Sequence, residues 1–235
     1  MSKLLVKNKD IVVPGEKLAE GMDSLPGFGT YREGDYVIAG RLGLVSIDGR
    51  TIKLISLSGR YMPKKDDTII CKVSDINFSG WSLDTNCAYN AMLPMKDATS
   101  DFIQRGADLT QYYDVGDYLV CKIINVTSQK LIDVTMKGPG LRKLDGGRIV
   151  QVNTNKVPRI IGKQGSMVSM IKQATDCKII VGQNGLVWIQ GEPKGELLAV
   201  NTLKKIEMES HLPGLTDRIK ETLEKESGKK IGVTG

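Results

Sequence analysis

The sequence is poor in the side chains that most site chemistry needs. It holds one histidine, His211, among 235 residues. That excludes a histidine-rich metal centre and argues against a Ser-His-Asp triad. His211 precedes Leu212-Pro213 in an expected helix-to-helix turn, with no partner beside it, and reads as a surface residue rather than a general base. Four cysteines, at 71, 87, 121 and 177, form no Cys-x-x-Cys pair, so a zinc ribbon or knuckle is excluded. Cys71 and Cys121 sit inside apolar runs and read as small core residues. Two tryptophans, seven tyrosines and three phenylalanines leave material for only a small stacking platform. No apolar run approaches the roughly 18–20 residues of a membrane span. The start, Met1 to Lys7, lacks the apolar core of a secretory signal. A cytoplasmic chain with no membrane partner is expected. The carboxylates are scattered, and the adjacent pair Asp66-Asp67 would splay apart in a linker, which argues against a two-metal site. No catalytic residue, metal or cofactor is expected.

What the chain has in quantity is glycine and positive charge. The 26 glycines favour turn-rich β structure, and 33 Lys and Arg against 27 Asp and Glu leave a net charge of +6. A hydrophobic fraction of 40% with 26% charged residues belongs to a folded chain, not a disordered one. The length allows one large domain or two to three small ones, at about 100–200 residues each.

Three segments are expected. Residues 1–63 form an N-terminal β domain. Its clearest signal is Asp48-Gly49 between two short apolar runs, a hairpin of the type I′ kind. Tyr61 to Asp67 is polar and reads as a linker. Residues 64–140 form a second β module of five strands with one long polar insertion from Lys96 to Gly116, which fits a small OB-type barrel. Glu33-Gly34-Asp35-Tyr36 and Val115-Gly116-Asp117-Tyr118 match weakly and read as a shared turn before a strand. Residues 145–227 change pattern to strand, helix, loop, helix, strand, strand, helix, and a last amphipathic helix over about 216–225 follows. Met167, Val168, Met170, Ile171 and Ala174 recur at helical spacing, as do Leu197, Leu198, Val200, Leu203 and Ile206. Gly182-Gln183-Asn184-Gly185 lies between two strands and reads as a hairpin.

The sharpest motif is Gly162-Lys163-Gln164-Gly165, preceded by Val157-Pro158-Arg159-Ile160-Ile161 and opening an apolar helix. Glycines at both ends let the backbone approach another backbone closely. The helix start offers unpaired N–H groups that suit phosphate oxygens, and Lys163 and Arg159 add cations. The spacing lacks the GxxxxGK[ST] pattern of a nucleotide-phosphate loop. In this context the loop resembles that of the type I KH module, which clamps a nucleic-acid backbone over about four nucleotides. The barrel module resembles the RNA-binding domain first described in ribosomal protein S-one. Phe78, Trp81 and Tyr89 fall where its second and third strands would present bases with stacking faces. Lys96, Arg105, Lys122 and Lys130 are candidates for backbone contact. The family often ends its third strand in Leu-His-Ile-Ser, whereas this chain has Leu93-Pro94-Met95, so that imidazole is missing here.

The N-terminal segment carries Val12-Val13-Pro14-Gly15-Glu16-Lys17-Leu18, Gly27-Phe28-Gly29-Thr30-Tyr31, Gly34-Asp35 and Gly59-Arg60-Tyr61-Met62-Pro63. With the barrel and KH module behind it, this resembles archaeal RNA exosome cap subunits of the S-one-plus-KH type over nearly the whole chain. The resemblance implies a non-catalytic subunit that binds single-stranded RNA. Three copies, alone or mixed with the zinc-ribbon cap subunit, would sit on a hexameric ring of phosphorolytic-RNase-like subunits. The N-terminal domain would dock on that ring and the barrels would guide RNA 3′ ends into it. A translation- or transcription-associated RNA-binding factor is the alternative, although antitermination proteins of this build usually carry two KH units. Polynucleotide phosphorylase is not expected, since it carries its KH and barrel modules in the opposite order and after two large catalytic domains.

Overall fold

The computed structural model describes residues 3–104 and 106–229. They fall into two compact units divided between Gly59 and Arg60.

The first unit is all β. Strands β1 (Lys3–Leu4), β3 (Lys17–Glu20), β6 (Tyr36–Ala39) and β5 (Thr30–Glu33) form one sheet in that order. Strands β2 (Ile11–Val12), β7 (Gly43–Asp48), β8 (Thr51–Ser56) and β4 (Leu25–Pro26) form another. Alternate residues of these strands enter one core, among them Leu18, Val37, Val45, Ile52 and Leu54, as the two-residue side-chain period requires. The hairpin between β7 and β8 forms where it was expected, but one residue later. Asp48 pairs with Thr51, so Gly49 and Arg50 are the central residues. Gly49 has φ +58° while Arg50 stays negative. One left-handed residue in the first central position is the glycine-first turn, not the doubly left-handed type I′.

The second unit begins with a barrel. Strands β9 (Thr68–Asn77), β10 (Gly80–Asp84) and β11 (Asn90–Pro94) form an antiparallel run, and α1 (Met95–Ala98) follows. Strands β12 (Tyr118–Val126) and β13 (Ile132–Thr135) complete it. β12 pairs with both β9 and β13, and β13 pairs in parallel with β11. Five strands therefore close on themselves and leave no free edge. The interior is filled by every second residue: Ile69, Cys71 and Val73; Trp81 and Leu83; Ala91 and Leu93; Leu119, Cys121 and Ile123; Ile132 and Val134. The cysteines at 71 and 121 are core residues, as their apolar context predicted. Tyr61, read from the sequence as linker, packs in this core too. Its hydroxyl donates to Asp67 Oδ2 at 2.6 Å. Burial, then the hydrogen bond to Asp67 and its charge, push the phenol far above its ordinary range, so it stays a donor. The insertion after β11 is less polar in place than in sequence, because Ala98, Ile103 and Leu109 turn inward.

Strand β14 (Arg142–Leu144) extends β12 and leads into an α+β module. There β15 (Arg148–Gln151), β17 (Leu186–Gln190) and β16 (Lys178–Val181) form an antiparallel sheet in that order. Against it pack α2 (Val157–Ile161), α3 (Ser166–Thr175), α4 (Pro193–Glu209) and α5 (Leu215–Ser227). Met167, Met170, Ile171 and Ala174 line the inner face of α3, and Ala199, Val200, Leu203 and Ile206 that of α4. Leu197, expected on that inner side, faces solvent with 57% of its surface exposed. No helix among the described residues is long and apolar enough to cross a membrane.

The barrel and the α+β module share a second core. Ile70 and Val120 point out of the barrel and meet Leu144, Leu186 and Trp188. This is why Ile69, Ile70 and Cys71 are all buried: that strand is covered on both faces. Asn184, in the hairpin between β16 and β17, locks the contact. Its Oδ1 accepts from Ile70 N at 3.2 Å, and its Nδ2 donates to Ile70 O at 2.6 Å and Thr85 O at 2.9 Å. Gln183 N donates to Thr68 O at 2.9 Å. The hairpin expected at 182–185 is present, and it also works as a bracket between the two folds.

Candidate nucleic-acid interface

The glycine loop takes its shape from left-handed backbone at three of its four residues. Gly162 has φ +75°, Gln164 +53° and Gly165 +81°. A Cβ at Gly162 would lie 2.7 Å from Met167 N and Cβ, so only glycine fits there. Gly162 N donates to Pro158 O at 3.0 Å, which ends α2, and Gly165 N donates to Gly162 O at 3.3 Å. Gln164 holds a conformation that costs most residues about 1 kcal/mol or more, and such backbone concentrates at functional sites. Helix α3 then begins without a side-chain cap. Arg159, Lys163 and Gln164 are all exposed. Among the described residues neither Arg159 nor Lys163 is held in an ion pair. Other cations are so held: Lys143 by Asp117, Arg218 by Glu209 and Lys53 by Asp48. The loop thus presents two free positive charges on a backbone bare of Cβ atoms at both ends. That combination suits a phosphodiester.

The barrel delivers less of its expected set. Trp81 is a correction. Its ring is completely buried, meets Tyr113 edge-on at 5.2 Å and donates from Nε1 to Tyr113 O at 2.9 Å. It is a core residue with a satisfied polar atom and has no face to offer a base. Tyr89 is half-buried against the same core. Phe78 is the opposite case, 94% exposed at the β9–β10 turn. Lys96 is exposed on α1, whose first residue bonds back to that turn through Met95 N to Ser79 O at 3.1 Å. Phe78 and Lys96 therefore belong to one end of the barrel. Lys122 does not: it pairs with Thr68 at the other end of β9, about 30 Å away for a strand of this length. Its ammonium lies 2.9 Å from Asp66. That hydrogen bond, then the charge itself, holds the Asp66 carboxyl below its ordinary range, so the Lys122 charge is already answered. Lys130 sits in a left-handed turn. Arg105 lies outside the described residues.

One exposed aromatic escaped the sequence reading. Phe102 is 88% exposed in the segment after α1. An aromatic flanked by Thr99, Ser100, Asp101 and Gln104 was the available signal.

Comparisons with known proteins fit this geometry. A KH domain family model matches residues 147–205, which hold the glycine loop. The exosome complex component Rrp4 of Methanothermus fervidus is 44% identical over 219 residues, covering 93% of this chain and 96% of that protein. The chain belongs to the Rrp4 family of exosome complex components. The Rrp4 of Pyrococcus furiosus is 42% identical over 227 residues, covering 95% of this chain and 86% of that one. A crystal structure assigned as an exosome complex RNA-binding protein matches with a TM-score of 0.65 and 30% identity, covering 72% of this chain and 97% of its own. Likeness to the Rrp4 family thus spans the N-terminal unit, the barrel and the KH module.

Proposed function

We propose that this chain is a non-catalytic RNA-binding cap subunit of an exosome. It holds single-stranded RNA and hands 3′ ends to a ring of phosphorolytic-RNase-like subunits for 3′-to-5′ degradation and processing. The observation that carries the reading is the Gly162–Gly165 loop with exposed Arg159 and Lys163, neither in an ion pair among the described residues, in a chain of the Rrp4 family. Phe78 at the barrel end supplies a stacking face worth about 1–3 kcal/mol per base.

The N-terminal unit supplies the docking surface in this reading. Ile11, Leu44 and Ile55 are cross-strand neighbours on β2, β7 and β8. They lie on the face opposite Val45 and Leu54, with Ile11 66% and Ile55 58% exposed. An apolar row of this kind marks an interaction surface, and we assign it to the ring. Three copies per ring, alone or alongside the zinc-ribbon cap subunit, follow from the family resemblance.

The test is reconstitution. Mixed with a hexameric exonuclease ring, the full chain is expected to form a stoichiometric complex that degrades single-stranded RNA faster than the ring alone. The isolated chain in phosphate buffer is expected to leave the same RNA intact. Association with ribosomes or RNA polymerase instead of the ring would overturn the reading in favour of a translation or transcription factor. RNA phosphorolysis by the isolated chain would overturn its non-catalytic part.

A further inference from the structure

The glycine loop has a second flank. Between it and the turn joining α4 to α5 lies a groove of about 540 Å³, inside the roughly 300–1,000 Å³ range of ligand sites. Arg159, Lys163 and Ser166 stand on one wall, and His211 and the start of α5 form the other, with Asp217 as the one carboxylate. Arg159, Lys163 and His211 are exposed. His211 is the only histidine in the chain, and its ring can donate a hydrogen bond in either protonation state. Among the described residues no Phe, Tyr or Trp lines the groove, so beyond the imidazole it offers a base nothing to stack on. Its polar groups suit a sugar-phosphate instead.

We infer that this groove seats a phosphodiester of single-stranded RNA, with His211 donating to the phosphate from the wall opposite Lys163. The phosphate would then be gripped from two sides, and the turn between α4 and α5 would be part of the RNA-binding surface. The inference rests on the RNA-binding reading above and extends it to residues that reading leaves idle. Because only the backbone is held, the contact is independent of base.

A single histidine makes the test direct. The imidazole gives one set of nitrogen-bound resonances in a proton–nitrogen correlation spectrum of the full chain, and these need no assignment. Titration with a 16-nucleotide oligouridine is expected to shift them, saturating where fluorescence anisotropy of the labelled oligomer saturates. His211→Ala is expected to weaken binding about threefold, the size of one hydrogen bond. His211→Glu is expected to weaken it at least tenfold and His211→Lys to keep it within twofold, and the ratios should repeat with oligoadenosine. Unmoved imidazole signals at saturating RNA, or a folded His211→Glu that binds within twofold of the natural chain, would overturn the groove while leaving the loop's own role standing. Absence of any RNA binding by the unmodified chain would overturn the function proposed above and this inference with it.

Discussion

The KH module and the barrel met the same expectation, a set of exposed side chains that touch RNA, and answered it differently. In the KH module the expected residues stay at the surface, because the motif is defined by backbone. Gly162 and Gly165 are there for left-handed φ, and between them Lys163 and Gln164 stand exposed. In the barrel the expectation rested on residue type alone, and aromatic rings serve a core as readily as a base. Trp81 went inward, Tyr89 half inward, and only Phe78 remained free. A motif that constrains φ locates a site; a residue type without a side assignment does not.

The sharpest way to break that comparison is Trp81. Trp81→Ala is expected to cost about 3–5 kcal/mol of stability in urea unfolding, as core truncations of this size do. Measured where the variant is still folded, its RNA affinity should move less than twofold. Lost affinity with stability intact would place the ring at the RNA after all. Next in size is Asn184→Ala, which strands the Ile70 N–H and the Ile70 and Thr85 carbonyls in a buried setting. A loss of about 3 kcal/mol is expected at about 1–3 kcal/mol per stranded group, followed by thermal unfolding. A change below about 1 kcal/mol would mean that water replaces the amide.

Gly162→Asp with Gly165→Asp should reduce RNA affinity about 30-fold in anisotropy, by placing two negative charges and two Cβ atoms in the loop. Gly165 has open space around it at φ +81°, so Gly165→Asp alone adds charge and backbone strain without a clash. Intact affinity in a folded variant would make the loop structural. The smallest contrast lies within the barrel. Phe78→Ala is expected to weaken RNA binding about tenfold with little change in stability, whereas Lys122→Ala should change it less than twofold because Asp66 already answers that charge. Equal losses would mean that RNA crosses both ends of the barrel.

Much of the fold was legible because alternation is local. Trp81-Ser82-Leu83-Asp84 even carries the answer about Trp81: it lies two residues from Leu83 and must share its face. The side assignment was in the sequence, but only once Leu83 was known to point inward. The glycine loop was legible because glycine spacing maps directly to backbone geometry. The bracket at Asn184 was not, since the groups it satisfies lie 114 and 99 residues away and nothing local to an Asn-Gly turn names them. Nor was the His211 groove, whose two walls are distant in sequence and meet only through the packing of α3, α4 and α5.

The bracket also carries a chemical vulnerability. Asn184 is followed by Gly185, the pairing in which an asparagine amide is most readily hydrolysed to a carboxylate as a protein ages. Here the amide nitrogen donates to two carbonyl oxygens. An aspartate in its place would have no proton for either and would set negative charge against both. Loss of that one amide nitrogen would leave the bond from Ile70 N and the shared apolar core to hold the joint against two carbonyls facing a negative charge.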